Sequence, residues 1–117
     1  DTSRAKKVLS ELDKYYPGAN GYEIAGFFWW QGDRDSRSQA LSSRYKKNLA
    51  HLIKQLRKDF DSPNAKFVCA TLGQTKKGEK SNGGKLLDAM FAVDGESGKY
   101  LSRLKELESL YEIAVFR

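Results

Sequence analysis

Apolar residues at Val8, Leu9, Leu12, Tyr15 and Tyr16 recur at the spacing of one helical face, which predicts a helix over residues 3–16. Asp1, Thr2 and Ser3 are candidate N-caps, and Pro17-Gly18-Ala19-Asn20-Gly21 closes the helix in a turn. The pattern then changes. Residues 22–30, Tyr-Glu-Ile-Ala-Gly-Phe-Phe-Trp-Trp, are near-continuously apolar after Glu23, as in a strand of a parallel sheet covered on both faces. A polar turn follows at residues 31–36. Residues 38–60 give the strongest helical period, with Tyr45, Leu49, Leu52, Ile53, Leu56 and Phe60 on one stripe. Lys46, Lys47, Lys54, Arg57 and Lys58 occupy the opposite face, and Asp61-Ser62-Pro63-Asn64 stops the helix. Residues 66–72 read as a second buried strand and 73–84 as a long polar loop. Residues 85–93 form a short helix, 94–98 a turn, 101–111 another helix and 112–116 a short third strand.

The order α-β-α-β-α-α-β predicts an α/β fold with a mainly parallel sheet layered by helices. A length of 117 residues suits one domain. The 12% aromatic content argues against disorder. No apolar run reaches the roughly 20 residues of a membrane helix. No signal-peptide pattern is visible at the N-terminus, and the compartment stays open. Cys69 is the single cysteine, which excludes an internal disulfide and a multi-cysteine metal site, and His51 is the single histidine. No metal or cofactor is expected. The formal net charge of +6 fits a soluble surface. It also fits a basic α/β module for nucleic acid or acidic glycan, although nucleic acid is the less favoured partner.

Ligands of open α/β sheets bind beyond the carboxyl ends of the strands. Two polar segments fall there, Gln31-Gly32-Asp33-Arg34-Asp35 and Thr71-Leu72-Gly73-Gln74-Thr75. An amide donor at a rigid strand end is suited to stabilising a developing oxyanion in acyl transfer. Asp33 and Asp35 either brace this loop or cap the helix after it. Trp29 and Trp30 offer aromatic faces for a sugar. Core packing is the stronger reading for both, with a cleft role open for one. His51, mid-helix among lysines, reads as a solvated surface residue, and Cys69 as a small core hydrophobe. Lys76, Lys77, Lys80 and Lys85 with their glycines do not fit a phosphate-binding spacing.

The run Gly26-Phe27-Phe28-Trp29-Trp30-Gln31-Gly32-Asp33-Arg34-Asp35 resembles the W-x-Q-G-E/D-x-D signature of the sialate O-acetylesterase group of the SGNH hydrolase superfamily. The likeness continues through Arg44-Tyr45-Lys46-Lys47-Asn48-Leu49, through Ala65-Lys66-Phe67-Val68 and through residues 70–75. It is strongest over residues 22–100, and residues 101–117 diverge. The resemblance implies a three-layer α/β/α, flavodoxin-like fold, here an incomplete single domain over 1–117. It implies deacetylation of an O-acetylated carbohydrate by a serine nucleophile, in relatives often secreted or periplasmic. Gln31 matches the oxyanion-hole glutamine and Gly32 its neighbour. Asp33 stands where glutamate is usual, Gln74 flanks the same cleft, and Trp30 joins them as a substrate contact. The nucleophile turn and the Asp-x-x-His base segment of such enzymes have no counterpart here, so the chain alone is expected to be inactive. Without the nucleophile-bearing strand, residues 22–30 would lie at an exposed sheet edge. That predicts dimerisation or aggregation.

Overall fold

The computed structural model of the chain describes residues 2–93 and 113–116. Its elements are α1 (Ser3–Ser10), α2 (Leu12–Tyr15), β1 (Gly26–Trp29), α3 (Asp33–Ser36), α4 (Gln39–Asp59), β2 (Lys66–Ala70), α5 (Asn82–Ala92) and β3 (Ile113–Phe116). The three strands form one sheet in the order β1-β2-β3, and both pairings are parallel. The third strand expected at residues 112–116 is therefore present. The helix expected at 101–111 lies outside the described residues.

α4 forms where its signals agree. Ser38 holds an extended backbone, and its hydroxyl accepts the Leu41 amide at 3.4 Å. At the other end the Ser62 amide donates to the Arg57 carbonyl and the Asp61 amide to that of Lys58. Asp61 takes the left-handed φ of 48°, which completes a Schellman-type stop. Tyr45, Leu49 and Ile53 are buried along the predicted stripe, with Leu52 and Leu56 half-buried beside them. On the basic face Lys47, Lys54 and Lys58 are exposed. Arg57 departs from that face: it is half-buried, and its Nε donates to the Ala65 carbonyl at 3.0 Å.

β2 is the middle strand and its inward face is the core. Phe67 and Cys69 are fully buried, and their register partners Phe27 and Trp29 sit on the same face. α4 and α5 cover this face, α5 through Leu86, Ala89, Met90 and Val93. Gly26 lets β1 approach, because a Cβ there would stand 2.7 Å from the Lys66 carbonyl oxygen.

Two expectations are corrected. Residues 22–30 do not form a strand covered on both faces. Pairing is confined to Gly26–Trp29, because β2 begins at Lys66, the partner of Gly26, and Phe28 on the outer face is 69% exposed. Nor is residues 3–16 one helix. It breaks at Glu11 (φ −113°, ψ 33°), and neither piece carries a fully buried residue to enforce continuity.

Candidate functional site

β1 delivers the chain to the carboxyl end of the sheet, where Gln31 follows its last residues. Gly32 turns the chain with a φ of 141°, a conformation L side chains rarely adopt. It is also buried: a Cβ would meet Leu86 Cδ2 at 2.9 Å and Leu72 Cδ1 at 3.3 Å. The one-turn helix α3 starts at once. Its N-cap is Gly32, and the N-cap of α4 is Ser38, so neither Asp33 nor Asp35 caps a helix. Both brace the loop instead.

Asp35 Oδ2 accepts the Gln31 Nε2 amide at 2.6 Å. Asp33 Oδ2 accepts Arg37 Nη2 at 2.5 Å, and its Oδ1 lies 3.5 Å from Gln74 Nε2. The second contact is long, yet it links the loop after β1 to the loop after β2. The two polar segments singled out in the sequence thus meet at one end of the sheet.

Gln31 lines an open cleft of about 540 Å³ between the β1 tip and α4. Trp29 and Tyr45 form aromatic wall. Trp29 Nε1 donates to the Tyr45 hydroxyl at 3.4 Å, and that hydroxyl donates to the Gln31 carbonyl at 2.8 Å. Burial pushes the Tyr45 phenol up to about 12, against the smaller, opposite effect of the Trp29 hydrogen bond. The phenol therefore stays a neutral donor at ordinary pH. Asp35 and the α4 residues Asn48, His51 and Gln55 add polar groups to the lining. Gln55 Nε2 donates to Asp59 Oδ1 at 2.7 Å and Thr2 Oγ1 to Asp59 Oδ2 at 2.9 Å, and together they hold that carboxyl below its usual range.

Trp30 is corrected from its core reading: it is 72% exposed, while Trp29 packs against the core and lines the cleft. His51 is exposed as expected, but it stands on the cleft wall. Sequence reasoning did not gather Tyr45, Asn48, His51 and Gln55 to this site. Their spacing of three, three and four along a helix was the available signal. A larger cleft of about 680 Å³ lies at the opposite end of the sheet, against Tyr22, Ile24, Phe60 and Pro63, away from these groups.

The serine hydroxyls of Ser10, Ser36, Ser42, Ser43 and Ser62 donate to nearby backbone carbonyls. Burial raises the Cys69 thiol to about 11, so it is no ready nucleophile. Among the described residues no three His, Cys, Asp or Glu side chains converge as metal ligands, and no helix is long and apolar enough to cross a membrane.

Comparison with known families gives a match. The model of a family described as carbohydrate esterase, sialic acid-specific acetylesterase, matches residues 3–98. No curated protein and no solved structure matches the chain.

Proposed function

Because the chain belongs to the carbohydrate esterase, sialic acid-specific acetylesterase family, we propose that it supplies the oxyanion-stabilising wall of a serine-type O-acetylesterase. One observation carries this reading: the Gln31 carboxamide at the tip of a parallel strand, lining an open cleft. Attack on the acetyl carbonyl places negative charge on its oxygen, and an N–H of Gln31 donates to that oxygen as the charge develops. One such donor contributes about 10²–10³ in rate. Gly32 gives the tight turn that sets the amide there. Asp33, Gln74 and the exposed face of Trp30 lie outside the lining of that cleft, and in this reading they meet the sugar beyond its rim. The domain reading is a partial three-layer SGNH fold over residues 1–117.

Hydrolysis also needs a nucleophile and a base that takes its proton and returns one to the departing sugar hydroxyl. The local hydrogen bonding of Ser10, Ser36, Ser42, Ser43 and Ser62 supports the proposal that this chain alone turns over little ester. Incubation with p-nitrophenyl acetate should show no robust turnover, and a serine-directed phosphonate should not label the chain stoichiometrically. Substrate class is tested separately, by titrating the ¹⁵N-labelled chain with an O-acetylated sialic acid and with its deacetylated form. The acetylated sugar should shift Gln31, Trp30 and Gln74 more. Equal shifts from both sugars, or none at Gln31, would remove the oxyanion role.

A further inference from the structure

The bond between Gln31 and Asp35 does more than brace a loop. A primary amide presents two N–H donors on one end and an acceptor oxygen of similar size on the other, so packing alone does not choose which end faces a cavity. An ionised carboxylate only accepts. Asp35 Oδ2, 2.6 Å from Nε2, can therefore bind the nitrogen end of Gln31 and not the oxygen end. One N–H is committed and the second is left for a ligand.

The carboxylate is placed by its element. Asp35 is half-buried, four residues after Gln31, on the helical turn that Gly32 starts. The main chain of Gln31 is held independently by the Tyr45 hydroxyl at 2.8 Å. Both ends of the glutamine are thus fixed, by partners that line the same cleft.

We propose that Asp35 is the positioning residue of the oxyanion donor, selecting the nitrogen end of the Gln31 carboxamide and orienting its second N–H toward the cleft. This presupposes that Gln31 is that donor, so the two ideas need separate readouts. Asp35→Asn is informative beside Asp35→Ala: it keeps the size and an acceptor but adds a donor, so it removes the choice of amide end without emptying the position.

Side-chain amide spectra of the ¹⁵N-labelled chain provide the test, with the Gln31 pair assigned by its loss in Gln31→Ala. In the native chain one proton of that pair should lie downfield and exchange slowly with water. Asp35→Ala should abolish the downfield shift and speed exchange about tenfold, the loss of one hydrogen bond to a charged group. Asp35→Asn should lose part of both, because its amide can offer a donor as readily as an acceptor and no longer selects one end of Gln31. Acetate, as a small oxyanion probe, should move the other proton of the pair in the native chain. A native pair with two equivalent, fast-exchanging protons overturns the proposal even if Asp35→Ala fails to fold, as does a pair that Asp35→Ala leaves unmoved. If the Asp35-dependent signature is present but acetate leaves the pair unmoved, the positioning stands and the oxyanion role of Gln31 falls.

Discussion

At Gly32 two constraints coincide, a left-handed backbone and a side-chain surface with no room for a methyl group. Gly32→Ala should therefore cost about 1–3 kcal/mol of stability, read by urea unfolding, because strain and displacement of Leu86 act together. Tyr45→Phe removes a hydroxyl that both accepts from Trp29 and donates to Gln31. It should cost about 1–2 kcal/mol and loosen the Gln31 backbone. Both buried acids also make stability fall in alkali. The Cys69 thiol is raised from 9.0 to about 11 and the Tyr45 phenol from 10.0 to about 12. Each group stays protonated longer in the folded chain than in the unfolded one. Its contribution is complete below the unfolded value and is lost as pH climbs to the folded value. Chemical unfolding repeated from pH 8 to 11 should show stability dropping above pH 9, by up to about 1.4 kcal/mol per pH unit for each group. Cys69 should react with a disulfide reagent only as the chain unfolds.

Among the elements, α4 was legible almost to the residue. Its cap, apolar stripe and stop all sit within 25 positions of one another and need no distant partner. Ser38→Ala should cost about 1 kcal/mol, measured by thermal unfolding. α5 began three residues earlier than its apolar pattern, at Asn82, because the Ser81 hydroxyl accepts the Gly84 amide at 3.1 Å and carries two glycines into the helix. β1 was misjudged for the opposite reason. Its length is set by β2, which offers partners only from Lys66 onward, and aromatic content near residue 22 cannot report that. The amide of Gln31 was legible as a donor at a strand end. Its lock by Asp35 was not, because it exists only once the polar turn at 31–36 closes into a helix.

For the whole molecule, helices cover one face of the sheet through Phe27, Trp29, Phe67 and Cys69, while Phe28 stands out from the other. Among the described residues β1 pairs only with β2, and its second edge has no strand partner among them. We propose self-association through this edge and aromatic face. Sedimentation should find dimers or larger species, and a Phe28→Lys, Trp30→Lys double variant should shift them toward monomer. A native chain that sediments as a single monomer at every loading concentration would remove the idea. The first two helices have a different consequence. They bury none of their residues, and the Thr2 hydroxyl that precedes them donates to Asp59 at the far end of α4. They therefore behave as an outrigger moored alongside the core. A protease that trims residues 3–16 should leave the remainder melting at nearly its original temperature, and acidifying below the Asp59 range should slip the mooring first.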